Sequence, residues 1–205
     1  MKAIGCLVAV ALAVGVLGLA LMGSYNSLVG LAQAVDAQWA QVENAYQRRA
    51  DLIPNLVATV SGAANFEKST LEAVTNARAS VGQVKVNPGD PASLAEFEKA
   101  QSGLSSALSR LLVVSEQYPD LKASANFRDL QVQLEGTENR ITVERGRFNE
   151  KAQTYNTAIL RIPARLYAGF FGMKEKPYFK AVTGSEKPPA VNFNFGPSPA
   201  PAPSK

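Results

Sequence analysis

From Ala3 to Gly23 the chain reads AIGCLVAVALAVGVLGLALMG, an uncharged and almost wholly apolar run. In a helix rising 1.5 Å per residue, about 20 such residues match the roughly 30 Å hydrocarbon core of a bilayer. Every backbone N–H and C=O is satisfied within that helix, so the segment can cross lipid without stranding a polar group. A cleaved signal peptide has a shorter apolar core, then a small-x-small site in polar sequence. Here apolar character continues through Tyr25, Leu28, Val29 and Leu31, and the first acid is Asp36. An uncleaved transmembrane anchor over residues 1–24 is expected, with lipid contact through residues 3–23. Lys2 and the amino terminus are the positive charges beside the span, which favours a cytoplasmic N-terminus and a body on the outer side. Two charges leave the cytoplasmic side open for the body.

The rest of the chain is poor in the groups that do chemistry. The whole chain has no histidine, and its one cysteine, Cys6, lies in the apolar run. Catalytic units that rely on an imidazole base are excluded, and so are imidazole zinc sites and Glu-x-x-His di-iron bundles. A lone cysteine forms no intrachain disulfide. No cofactor, no metal and no enzymatic activity are expected.

Between residues 25 and 160 the apolar positions step by three and four. Leu28, Ala32, Val35, Trp39, Val42, Tyr46, Arg49, Ile53, Leu56, Val60 and Ala63 form one stripe, which resumes at Val74, Ala77, Val81 and Val84. A sustained 3.5-residue period is the seam of a helix that packs on a partner, as in a coiled coil. Pro54 falls inside this stripe. It removes the hydrogen bond to the Ala50 carbonyl and is expected to kink the helix rather than end it, since the stripe stays in phase on both sides.

Asn87-Pro88-Gly89-Asp90-Pro91 is the strongest turn, and Ser93-x-x-Glu96 after it has the form of a capping box. A second helix follows with Leu94, Phe97, Leu104, Leu108, Leu111 and Tyr118, stopped at Tyr118-Pro119-Asp120. A third carries Phe127, Leu134, Ile141, Phe148, Tyr155 and Ile162, seven residues apart, and Pro163 closes it. The expected fold is all-α: an N-terminal transmembrane helix, then an antiparallel bundle of three to four long helices over residues 25–163. Residues 164–183 form a basic aromatic segment, and the Pro/Ala-rich residues 184–205 are expected to be disordered.

Candidate functional residues fall into two groups. The first is polar and lies on or beside the seams: Arg48, Arg49, Asp51, Asn55, Glu138, Arg140, Asn149 and Asn156. Arg49 sits on the apolar stripe, where it either binds an anionic ligand or partner or pairs with an acid on another helix. Glu138 is the first candidate for that acid and Glu116 the second. Asn149 and Asn156 are one heptad apart, so their amides can bond across to a neighbouring helix and fix its register. Glu135, Glu138 and Glu144 alternate with Arg140, Arg145 and Arg147, the pattern of a solvated, salt-bridged helix face. The second group is Phe170, Phe171, Lys174, Lys176, Tyr178, Phe179 and Lys180. Residues 161–205 hold seven lysines and arginines against two glutamates, and interleaved rings and cations suit an anionic membrane surface. Packing of this segment against the bundle is the alternative, and no nucleic-acid partner is expected.

Several of these blocks carry a resemblance. Tyr25-Asn26-x-Leu28-Val29, Trp39, Arg48-Arg49-Ala50-Asp51-Leu52-Ile53-Pro54-Asn55-Leu56-Val57, Ala77-Arg78, Glu116-x-Tyr118-Pro119-Asp120-Leu121-Lys122-Ala123, Glu138-Asn139-Arg140-Ile141, Phe148-Asn149 and Tyr155-Asn156 together resemble the LemA family of bacterial membrane-anchored helical proteins. The likeness covers roughly residues 1 to 180. It departs at Phe148, where the family more often has Tyr. The resemblance implies a helical bundle on one transmembrane helix in the bacterial inner membrane, without an established enzymatic activity. One branch of the family is associated with building magnetosome membranes, which implies a structural or assembly role. The function expected is a scaffold or protein-interaction module of the cell envelope, with a protein partner or self-association. The alternatives are an anion- or metal-responsive sensor, or a carboxylate-based hydrolase, built on the bundle.

Overall fold

The computed structural model describes residues 2–63 and 66–180. Every regular element among them is helical: α1 Lys2–Ser61, α2 Lys68–Gln83, α3 Pro91–Ser115, α4 Pro119–Ala123, α5 Ala125–Leu160 and α6 Ala164–Tyr167. The expected Pro/Ala tail over residues 184–205 lies outside the described residues.

A single helix of 60 residues carries both the apolar run and the first half of the seam. Its character changes along its length. Leu12, Val14, Val16, Leu17, Leu19 and Met22 are exposed, whereas Leu28, Val35, Trp39, Val42 and Tyr46 are buried. A helix needs a covered apolar stripe to be stable in water, and here the cover begins at Leu28. The described part of α1 is long and apolar enough to cross a membrane.

Pro54 stays inside α1. It lacks the N–H that would reach the Ala50 carbonyl, and that carbonyl accepts instead from Arg78 Nε of α2 at 3.0 Å. The stripe does not continue in one helix to Val84, however. Helix α1 ends at Ser61 beside Gly62, and α2 starts at Lys68. The second rod therefore begins after the helix stops beside Gly62.

The capping box is also displaced. Helix α3 starts at Pro91, with Asp90 as its N-cap accepting from the Ala92 N–H at 3.1 Å. Proline at the first helical position removes an N–H that has no helical acceptor. The Ser93 hydroxyl faces back, accepting from the Asn87 N–H at 2.8 Å and donating to the Lys85 carbonyl. Ser124 caps α5 by accepting from the Phe127 N–H at 3.2 Å.

Helix α1 packs chiefly on α5, and α2 on α3. Partner numbers on the α5 side fall as those on α1 rise: Ser24 meets Tyr167, Gln38 meets Glu144 and Arg49 meets Glu138. Two apolar clusters result. One gathers around Trp39, Phe97, Phe148, Tyr155 and Phe179, the other around Ile53, Leu56, Leu104, Leu111, Phe127 and Leu134. Trp39 lies at the centre of the first, with ring centroids 5.8 Å from Phe97, 5.6 Å from Phe148 and 5.9 Å from Phe179. Such aromatic pairs contribute about 0.5–1.5 kcal/mol each beyond the area they bury.

Candidate functional site

Along α1, the boundary between the two apolar clusters falls at Arg49, which is 2% exposed. One guanidinium nitrogen donates to Glu138 Oε2 of α5 at 2.7 Å and to Ser105 Oγ of α3 at 3.0 Å. Its twin donates to Gln101 Oε1 of α3, and the group lies 5.2 Å from the Tyr46 ring centre. One side chain thus joins three helices. Its Nε makes no hydrogen bond among the described residues. The Glu138 side chain is 54% exposed, so the pair reaches from the interior to the surface. Burial raises the Tyr46 phenol above its ordinary value, with Arg145 and then Arg49 opposing that shift.

The other seam residues do not join this layer. Arg48 is exposed and borders an open cleft with Asn44, Thr137 and Arg140. Asp51, also exposed, accepts from Gln47 at 2.7 Å, one turn away on its own helix. Asn55 is exposed as well, and its carbonyl accepts from Thr59. Arg140 pairs with Glu144 at 3.3 Å.

The face expected to be solvated is solvated only in part. Glu144 is 2% exposed, covered by the side chains that bind it. It accepts from Gln38 Nε2 of α1 at 2.7 Å and from Arg147 at 3.0 Å. The Gln38 bond, then Arg147 and Arg140, hold its carboxyl below the ordinary carboxylate value against the opposing effect of burial. Arg145 leaves the surface pattern too. It pairs with Glu98 of α3 at 2.6 Å and lies 4.6 Å from the Phe179 ring centre.

Asn149 and Asn156 bond to the C-terminal segment, not to a neighbouring helix. Asn156 Oδ1 accepts from the Lys176 N–H at 2.8 Å while its Nδ2 donates to the Lys176 carbonyl at 2.8 Å. Asn149 does the same with Phe179, at 2.9 and 3.0 Å. Each amide acts as one rung of a ladder. The spacing explains why two rungs fit: seven helical residues advance about 10.5 Å, and three residues of extended chain about 10 Å. Residues 173–180, without helix or turn, thereby form a strap along α5.

The strap corrects part of the membrane-surface expectation. Phe179 is 6% exposed and stacks on Trp39 with an interplanar angle of 14°. Lys176 pairs with Asp36 of α1 at 3.0 Å. Neither side chain is free to meet a headgroup while the strap is seated. Tyr178 is partly exposed and its hydroxyl accepts from Asn156 at 2.9 Å. The Lys174 and Lys180 side chains are exposed. Phe170 and Phe171 lie elsewhere, in the turn before the strap, where Phe170 is 89% exposed.

Gln38, Glu98, Gln101 and Ser105 were absent from the sequence-derived candidates. Gln101 left a signal, four residues after Phe97 and three before Leu104 on an apolar stripe. Glu144 left the same one between Ile141 and Phe148. Among the described residues no group of three or more Asp, Glu, Cys or His side chains gathers as a metal site would require.

These features define an all-helical protein with one apolar N-terminal helix and a body stitched by internal polar contacts. The chain belongs to the LemA family, whose pattern matches residues 38–193. It is 29% identical over 187 residues to magnetosome protein MamQ of Magnetospirillum gryphiswaldense, covering 82% of this chain and 69% of that protein. It is 27% identical over 189 residues to magnetosome protein MamQ 2 of Paramagnetospirillum magneticum, with the same coverage. Protein LemA of Metamycoplasma hominis is 25% identical over 148 residues, 72% of this chain and 65% of that protein.

Proposed function

We propose that this chain is a single-pass protein of the bacterial inner membrane whose body, an antiparallel bundle of long helices, serves as a scaffold or protein-interaction module without catalysis. The observation that carries this reading is the continuity of α1, one helix from an exposed apolar end into a buried seam. A helix that does not break at the membrane boundary holds the body upright, as a support requires. The likeness to magnetosome proteins favours a part in organising membranes over a part in metabolism. The charge at Lys2 favours a body on the periplasmic side.

Two measurements test this. Protease added to intact spheroplasts should remove the body of the full chain, and protection until lysis would put it in the cytoplasm. Light scattering of the full chain in mild detergent should show an assembly larger than one protomer. Monomers alone, with no partner bound, would remove the scaffold reading.

A further inference from the structure

The turn that links α5 to the strap has an unusual surface. Ile162, Leu166 and Phe170 are 79%, 79% and 89% exposed and follow one another at intervals of four residues. Ile162 is the last member of the seven-residue series that elsewhere fills the core, yet α5 ends two residues before it and turns it outward. A soluble surface rarely gathers large apolar side chains in this way.

Its position says what covers it. Tyr167 donates its hydroxyl hydrogen bond to Ser24 Oγ at 2.8 Å, and Phe171 lies 5.1 Å from Tyr25, centroid to centroid. The turn is therefore pinned to α1 at the first residues after the apolar run, the level at which a spanning helix leaves the hydrocarbon. Tyrosines at that level suit the headgroup region. Arg161, Arg165 and Lys174, all exposed, flank the apolar row with charge that anionic lipid complements. The exposed apolar surface of α1 up to Met22 ends where this patch begins. Gly172, at φ +69°, then turns the chain back towards the body, with the Met173 N–H bonded to the Ala168 carbonyl at 2.9 Å.

We propose that residues 160–172 are a second membrane contact, a foot that lies in the headgroup region of the bilayer α1 crosses, with Ile162, Leu166 and Phe170 turned into the lipid. The inference rests on the anchored reading above. An anchor alone leaves the body free to tilt, whereas an anchor and a foot joined at Ser24 and Tyr25 fix its orientation to the membrane plane. Among the described residues of the basic aromatic segment, 164–172 belong to the foot and 173–180 to the strap, which seats Phe179 in the core.

The test uses the full chain carrying Cys6→Ala, reconstituted in vesicles of phosphatidylethanolamine with phosphatidylglycerol. Single spin labels are placed at Phe170→Cys, at Leu17→Cys in the apolar run, and at Val132→Cys, an exposed site on α5 in the other half of the body. Collision with oxygen should exceed collision with a water-soluble nickel complex several-fold at positions 17 and 170, with the reverse at 132. If 170 behaves like 132 while 17 reads lipid, the foot is wrong and the anchor stands. Shielding of 170 from both relaxers marks a protein contact and also overturns the foot. An aqueous reading at 17 overturns the anchor and the foot together.

Discussion

Arg78 donates to the Ala50 carbonyl at 3.0 Å, the carbonyl that Pro54 leaves without its helical donor. A proline within a helix thus becomes a docking point for the next helix. The pairing predicts a coupling. Arg78→Ala should cost about 0.5–1.5 kcal/mol in the parent, the usual worth of such a bond. It should cost less when Pro54→Ala has restored the helical N–H. A double-mutant cycle read by chemical denaturation checks this, and additive effects would dismiss the relationship.

The Arg49–Glu138 pair predicts an asymmetry. Glu138 is half in water and Arg49 is buried, so the two partners are not equally exposed to loss of the other. Glu138→Ala strands a buried cation and should destabilise by about 3 kcal/mol. Arg49→Met leaves an acid that water can solvate, and should cost under about 2 kcal/mol. Thermal melts of the two variants rank them; the opposite order would contradict this account of the layer.

The ladder on α5 predicts a coordinated release. Asn149→Ala or Asn156→Ala removes two main-chain bonds and should cost about 1–3 kcal/mol. Amide exchange at Lys176 and Phe179 should speed up in both variants. Trp39 is the sole tryptophan and stacks on Phe179, so its emission should shift to the red when the strap lifts. Unchanged exchange at both amides would mean that the asparagines do not hold the strap.

Glu144 predicts a dependence on pH. Its carboxyl is held below the ordinary value, so its contribution is present at neutral pH and is lost as pH falls through that lowered value. Glu144→Gln should therefore lower stability at neutral pH by about 1–3 kcal/mol. The gap to the parent should close in acid below the carboxylate range. A gap that persists undiminished there would show that charge is not what Glu144 contributes.

Much of the helical seam was legible because burial follows a period. The positions from Leu28 to Val60 that step by three and four are buried, apart from the half-buried Ala32, and Arg49 betrayed its burial by interrupting them. The break after Ser61 was not legible, since the stripe resumes in phase and hides it. Nor was the bond from Arg78, which spans 28 residues between two helices. The strap was missed for a different reason. A side-chain amide that mimics a backbone rung leaves no periodic trace in the segment it grips, so Asn149 and Asn156 were visible while their partners were not. The same local ambiguity made Lys176 and Phe179 resemble Lys174 and Phe170.

Whether one helix is both membrane anchor and first rod of the body is decided by the mass of the protein extracted from carbonate-washed membranes. The chain should stay in the membrane pellet and retain residues 1–24. A soluble chain shortened by cleavage near Gly23 would contradict it.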